Sequence, residues 1–460
     1  MWKPDLSNYS GPKYIALADA LCDDIRKNRL KPGEKLPPQR ELAYGLNINL
    51  GTVTKAYVLA SERGLVRGEI GRGTFVRKEP PSSKTPWPKE NLLPGRIDLR
   101  SDFPCSLADD PIFRETFSNL GNHPELGRLL QYQPGSARPD HLETARVWLS
   151  GFGVNTLTEN IVITNGALHG GFLSLMVLTN PGDLLLTDTL TSPAVRSIAA
   201  MLHLRLKPVA MDEHGMIPGE LEETLKQNRC RALYMIPNFH NPTASVMPLE
   251  RRVAIAEIAE KYHLYILEDD VFGSLMEKQV SPVSSMIPAL SFYITSFSKG
   301  IAPGLRVGYI VPPERFHQRV LTGLRVTSWM ASPMMVEMVS GWIKDGNAHR
   351  LVSLQAGRIA QRVAIFKKHL NEATVRSNPH CPHVWLKLPS SIRESEAVMV
   401  LSRKGIDVTP GEYFSVGSGM MPSGLRLCLG QIEDFSELEY AGRMIHKHFF
   451  ESSGTPGFHI

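Results

Sequence analysis

"ITSFSKGIAPGLRVGYI", residues 294–310, sets Lys299 behind two serines and ahead of a glycine, with Arg306 seven positions further on. The β-prone run before it places the lysine at a strand end. A single lysine is most often a solvated surface group, so this one gains weight only from its company. An amine beside hydroxyls and a guanidinium suits a ligand that carries both an aldehyde and a phosphate. The amine captures the first as a Schiff base, and the serines and guanidinium hold the second.

The pattern on either side agrees. From about Ile97 to Phe449 β-prone runs alternate with helical ones. "NIVITNG" leads into "ALHGGFLSLMVL" and "DLLLTD" into "SPAVRSIAAML"; "RALYMIPN" precedes a helix at "LERRVAIAEIAEKY", and "LYILEDD" and "LSFYITSFSKG" follow. Such alternation predicts a doubly wound, largely parallel sheet with ligands beyond the carboxyl ends of its strands. Asn165–Gly166, Asn238 to Thr243, Asp269–Asp270 and Ser296–Lys299 all fall there. From its own strand end Asp269 can pair with a protonated pyridine nitrogen and keep such a ring an electron sink.

With 460 residues, 42% hydrophobic and 21% charged, the chain reads as a globular protein of two or three domains. Its formal charge of +5 is unevenly placed. Residues 1–79 hold 14 Lys and Arg against 9 Asp and Glu, and the remainder holds 37 of each sign. The excess predicts a polyanion partner for the N-terminal segment alone. Five scattered cysteines without a CxxC spacing argue against a disulfide framework and a zinc site. The N-terminus lacks a signal-peptide core and no run approaches the roughly 18 apolar residues of a membrane span. A cytoplasmic protein with no membrane partner and no metal is expected.

Residues 78–95, "KEPPSSKTPWPKENLLPG", read as a proline-rich spacer. Ahead of it, Ile15, Ala18, Leu21, Cys22 and Ile25 recur at helical spacing. "KPGEKLPPQRELAYGL" adds a Pro-Gly turn and a helix burying Leu42, Ala43 and Leu46. "NINLGTVTKAYVLASERG" gives a third helix with Val53, Ala56, Tyr57 and Ala60 inward and Gly51, Thr52 and Lys55 outward. "LVRGEIGRGTFVRK" reads as a hairpin with a Gly-Arg-Gly tip. Three helices and a basic-tipped hairpin outline a winged helix-turn-helix, in which Arg40, Lys55 and Arg72 can reach phosphates or a groove.

"LKPGEKLPPQRELA", "GTVTKAY", "ERGL" and "GRGTFV" resemble the successive motifs of the GntR-superfamily winged helix. That resemblance implies double-stranded DNA as a partner, with Arg40, Thr52, Lys55, Arg72 and Gly73 as contacts. Residues 97–450 resemble the fold-type I aminotransferase domain, which implies pyridoxal 5′-phosphate as cofactor. By the resemblance of "SFSKGIAPGLRVGY", Lys299 is the aldimine lysine, with Ser296, Ser298 and Arg306 in phosphate-binding positions. "PNFHNPT" places Asn241 at the phenolic oxygen, "ILEDDVFG" places Asp269 at the pyridine nitrogen, and "GLRLCLG" places Arg426 on a substrate carboxylate. "TNGA" is similar to the turn whose amides hold phosphate, at Gly166 and Ala167. Tyr132 resembles the tyrosine that reaches the phosphate across a homodimer.

The architecture as a whole is similar to that of MocR-type transcriptional regulators. The expected fold is α/β: a winged helix-turn-helix over 1–78, a linker over 79–96 and an aminotransferase-like domain over 97–450. Within the last, a large doubly wound lobe spans about 130–340 and a smaller α+β lobe takes 97–129 with 341–450; residues 451–460 form a flexible tail. The implied function is a DNA-binding regulator that senses an amine, an amino acid or vitamin B6, with Lys299 displaced from the cofactor. The alternatives are a working aminotransferase with a DNA-binding appendage, or a large domain that serves only as a dimerisation scaffold.

Three positions depart from the family pattern. Ser192 stands where an aromatic ring stacks on the cofactor, Phe272 where a tyrosine is usual, and Leu168 where a glutamine is common. A lost ring stack removes roughly 1 kcal/mol of affinity, and a lost hydrogen bond about as much. His203, His240 and Phe239 are candidates to supply the missing stack. Retained binding with eroded turnover is the expectation.

Overall fold

The computed structural model describes residues 2–6, 9, 12–26, 29–62, 65–69, 73–76, 95–133, 135–370, 374–417 and 423–451. Arg72, nearly all of the expected linker and residues 452–460 of the expected tail lie outside them. The chain divides into two units, Met1–Trp87 and Pro88–Ile460.

In the first unit, α1 (Lys13–Arg26), α2 (Gln39–Leu46) and α3 (Leu50–Glu62) precede a hairpin of β1 (Val66–Glu69) and β2 (Gly73–Val76). Pro38 supplies the extended residue ahead of α2, and Asn47 ends that helix in the left-handed conformation, φ 49°. The Asn49 side chain accepts from the Gly51 N–H at 2.8 Å and starts α3. Leu17, Leu21, Leu42, Val53, Ala56, Tyr57, Ala60, Val66 and Val76 make one core. The inner face of α1 differs from the expected one. Ala18 and Leu21 are buried as expected and are joined by Ala16, Leu17 and Ala20, while Ile15, Cys22 and Ile25 are only half-buried. The alanines on that stripe let α3 pack closely against α1. The hairpin pairs Val66 with Val76 and Glu69 with Gly73, and a bridge from Lys35 to Phe75 props its outer strand.

The second unit is built on a seven-stranded sheet. Its strands are β4 (Val162–Thr164), β5 (Leu184–Asp188), β6 (Arg205–Val209), β7 (Ala232–Met235), β8 (Tyr265–Asp269), β9 (Ser291–Ser296) and β10 (Gly308–Val311), after a short β3 (Ile97–Asp98). Their order is β4-β10-β9-β8-β7-β5-β6. Only β10 runs against its neighbours, so the sheet is mixed at one position and parallel elsewhere. The central strands β7 and β9 are buried along their whole length. That suits a sheet covered on both faces. The helix Ala167–Leu178 covers one face, where a Cβ on Gly170 would approach Ile310 Cγ1 to 3.0 Å. The helix Leu249–Tyr262 packs on the other, over Leu186, Leu233 and Ile266.

A second, four-stranded antiparallel sheet holds β11 (Val375–Arg376), β12 (His383–Lys387), β14 (Thr409–Pro410) and β15 (Gly424–Cys428) in the order β11-β12-β15-β14. Between them in sequence, β13 (Ile406–Asp407) pairs in parallel with β3. That pairing carries the segment after β3 to the lysine-bearing edge of the large sheet.

Candidate functional site

The parallel strands all end at one edge, and the antiparallel β10 begins there. This brings together the turn after β4, the loop after β7, the end of β8, the segment after β9 and the residues before β10. At the outer part of this edge Gly166, with φ 81°, starts the helix Ala167–Leu178, and no side chain caps it. An uncapped helix start behind glycine presents N–H groups suited to a phosphate. Arg306 lies across it, itself left-handed at φ 50°. Its Nη2 donates to the Asn165 carbonyl at 3.0 Å and its Nη1 to Ser298 Oγ at 3.3 Å. The fit leaves no room for side chains. A Cβ on Gly166 would lie 2.5 Å from Arg306 Nη2, and one on Gly308 would lie 2.7 Å from the Gly166 carbonyl carbon. Ser296, the buried last residue of β9, adjoins the same turn.

Further in, β8 ends in two aspartates with different surroundings. Asp270 accepts from Asn238 Nδ2 and from Tyr293 Oη, each at 2.7 Å, and both its oxygens are used. Asp269 accepts from Tyr234 Oη at 2.5 Å through Oδ2 alone, and its Oδ1 is buried without a partner. Burial pushes the Asp269 carboxyl up to about 6. An acceptor held in that state calls for a donor, and a protonated ring nitrogen is one.

Lys299 Nζ lies 3.0 Å from Asp102 Oδ2 and also donates to the Asp102 carbonyl. The Phe272 ring centroid lies 5.7 Å from the ammonium, so a π face replaces the expected hydroxyl. Burial alone would raise the Asp102 carboxyl. Lys299, His383 and Arg426 outweigh it and hold it down at about 2. His383 is held down at about 4, chiefly by burial. Arg426, only 4% exposed, donates to Asn241 Oδ1 at 3.0 Å and to the Arg100 carbonyl, and stacks 4.7 Å above the Phe414 ring.

Lys299, Asp269, Asn241, Ser296, Ser298, Arg306, Gly166, Ala167 and Arg426 thus converge on one edge. Tyr132 does not point inward. It is 75% exposed and rests against Trp329 at 4.9 Å. Leu168 is exposed as well. Ser192 caps its own helix, accepting from the Ala194 N–H at 3.3 Å. The suggestion that His203 supplies the stack is corrected: its carbonyl accepts from Gly182 before β5 begins, at the opposite edge of the sheet. His240 instead lies 3.6 Å from Asp188. The sequence reading missed Asp102, Tyr234 and His383. Tyr234 was within reach, since "RALYMIPN" puts a tyrosine near a strand end.

In the first unit Arg40 and Lys55 are exposed, Thr52 is half-buried and Gly73 opens β2. Tyr44, which the sequence did not single out, is 92% exposed on α2.

Residues 115–441 match the model of the aminotransferase class I and II family, and residues 13–76 match that of the bacterial regulatory proteins of the gntR family. The chain belongs to the class I and II aminotransferases, in the MocR type that carries a GntR domain. This MocR-type regulator is 28% identical over 451 residues to the uncharacterized HTH-type transcriptional regulator YdeF of Bacillus subtilis, covering 98% of this chain and 97% of that one. It is 27% identical over 446 residues to the vitamin B6 salvage pathway transcriptional repressor PtsJ of Salmonella typhimurium, covering 94% and 98%. Among solved structures, the kynurenine aminotransferase of Pyrococcus horikoshii superposes with a TM-score of 0.71 at 21% identity, over 76% of this chain and 90% of that one. An archaeal alanine:glyoxylate aminotransferase gives 0.70 at 23%, over 78% and 91%. These two likenesses establish the fold. The family is pyridoxal-phosphate-dependent. Among the described residues no helix is long and apolar enough to cross a membrane.

Proposed function

We propose that this MocR-type regulator binds pyridoxal 5′-phosphate at Lys299 and uses the occupied cleft to sense a small amine, an amino acid or vitamin B6. The observation that carries the proposal is the buried, unpartnered Oδ1 of Asp269, on the same sheet edge as Lys299 and the Gly166–Arg306 cradle. Three separate strand ends there offer what one molecule needs: an amine, an acceptor for a ring nitrogen and an anion seat.

When bound, the cofactor supplies an aldehyde and an electron-poor ring. The protein's own residues do the rest. Arg306, Ser296, Ser298 and the Gly166–Ala167 amides hold the phosphate, and Asp269 holds the ring nitrogen's proton. Asn241 orients the phenolic oxygen, and Arg426 would meet a carboxylate on an effector that has one. Tyr132, outward-facing and resting against Trp329, suits a contact with a second copy in a homodimer. Arg40, Thr52, Lys55, Gly73 and Arg72 are the proposed contacts to an operator.

The chemistry is that of sensing rather than turnover, because Phe272 and Ser192 remove a hydroxyl and a stacking ring while the holding groups persist. Resemblance to a repressor named for vitamin B6 salvage supports B6 as one candidate signal. The test is an absorption spectrum of the purified protein with added pyridoxal 5′-phosphate, beside Lys299→Ala. A visible band that needs the lysine is expected. Identical spectra for the two proteins would reject the reading.

A further inference from the structure

We propose that Asp102 makes this cleft a reader of primary amines that carry no carboxylate on the amine-bearing carbon. The inference rests on the cofactor reading above and narrows its effector class. Asp102 lies in the loop after β3, held where the Phe103 carbonyl presses on Gly430: a Cβ there would come within 2.1 Å of it. The Asp102 carboxylate reaches the centre of the site, 3.0 Å from Lys299 Nζ.

Its second oxygen shows what the site wants. Asp102 Oδ1 is buried without a partner and lies 3.9 Å from His383 Nδ1, which is also buried and unpartnered. His383 Nε2 meets the His240 carbonyl at 3.1 Å. A carbonyl only accepts, so Nε2 carries the ring proton and Nδ1 presents a lone pair. Two acceptors therefore face one another. A carboxylate brought beside them finds a donor on neither and meets a like charge.

The usual counterweight is already engaged. Arg426 holds Asn241 Oδ1 and the Arg100 carbonyl and is covered by Phe414. Its Nε is buried and unpartnered, and each Nη keeps one further N–H. An α-amino acid brings an anion beside Asp102, 3.0 Å from Lys299 Nζ, while the corresponding amine does not.

The test uses the full-length protein loaded with pyridoxal 5′-phosphate. Matched pairs are titrated, each an α-amino acid and the amine that remains when its carboxyl group is lost, compared at equal concentrations of unprotonated amine. The readouts are the Lys299-dependent visible band and the thermal midpoint. The amine of each pair should act at a concentration at least about tenfold lower, equivalent to about 1.4 kcal/mol. Asp102→Asn should narrow that ratio toward one by admitting the amino acids. Amino acids that match or outdo their amines in the native protein overturn the inference, and so does a ratio that Asp102→Asn leaves unchanged. Should Asp102→Asn fail to fold, the native ratio decides alone. Absence of any Lys299-dependent band overturns the cofactor reading, and this inference with it. A band with the reverse preference overturns only the inference.

Discussion

The two ends of the cleft are built in opposite ways. The end proposed to seat the phosphate is made of backbone: two left-handed residues, Gly166 and Arg306, an uncapped helix start, and a glycine, Gly308, pressed against the turn. The inner end is made of charge: Lys299, His383 and Arg426 together hold the buried Asp102 carboxyl down, burial holds His383 down, and polar atoms of Asp102, His383 and Arg426 lack partners. Backbone geometry tolerates almost no change in shape. A charge cluster tolerates changes of shape and responds to changes of sign. On the proposed reading, changes of charge at the inner end would retune the effector without disturbing the seat of the cofactor.

Gly308→Ala is the largest test of that contrast. Its Cβ would fall 2.7–2.9 Å from the backbone of Gly166 and Ala167, and backbone cannot rotate away as a side chain does. The cost should be roughly 1–3 kcal/mol of stability, with a weakened hold on the cofactor. Thermal melting with and without pyridoxal 5′-phosphate measures both. A midpoint unchanged in either condition would mean that the turn is pliable and the contrast false.

A smaller effect separates Asp269 from the charge cluster. Its carboxyl is raised in the folded chain to about 6 from an ordinary 3.8, so the folded form binds its proton more tightly than the unfolded form does. Stability from this group is thus fully present below pH 4 and is lost as pH rises through about 6. Asp269→Asn removes the titration. The melting midpoint of the cofactor-free native protein, minus that of the variant, should therefore fall from pH 4 to pH 7. Saturating cofactor should flatten the fall, because a protonated ring nitrogen stabilises the carboxylate. A difference independent of pH would place Asp269 outside the site.

How far the sequence revealed the site follows the same division. The phosphate end is contiguous: Ser296, Ser298, Lys299 and Arg306 lie within eleven residues, and Gly166 ends a strand run that periodicity alone can find. The helix α3 was legible for the same reason, its buried and exposed faces alternating as a helix requires. The inner end was not legible. Asp102 is 197 residues from Lys299, arrives through the pairing of two-residue strands, and looks locally like any loop aspartate. His383 is an inward residue of a small antiparallel sheet, with no neighbour in sequence that hints at Asp102. His203 erred the other way, close in sequence to the right helix but at the wrong edge of the sheet. The inner face of α1 was misjudged because periodicity gives a stripe about 100° wide, and only the partner helix chooses its centre.

The smallest effect bears most directly on what separates a sensor from an enzyme. Phe272 is buried, with its ring 5.7 Å from Lys299 Nζ and 5.5 Å from the His383 ring. Phe272→Tyr adds one hydroxyl in that company, and His383 Nδ1, which has no partner, can accept from it. The gain in cofactor retention should be within about 1 kcal/mol, a few-fold change in the concentration that half-saturates the visible band. Transamination of an amino acid with a 2-oxo acid should stay at background in the variant, because Ser192 still offers no ring and Asp102 keeps its negative charge beside Lys299. Sustained turnover in Phe272→Tyr would show that one hydroxyl is all the inner end lacks. In that case the charge cluster would be no barrier to amino acids, and the large domain would have to be regarded as a catalyst held just short of activity.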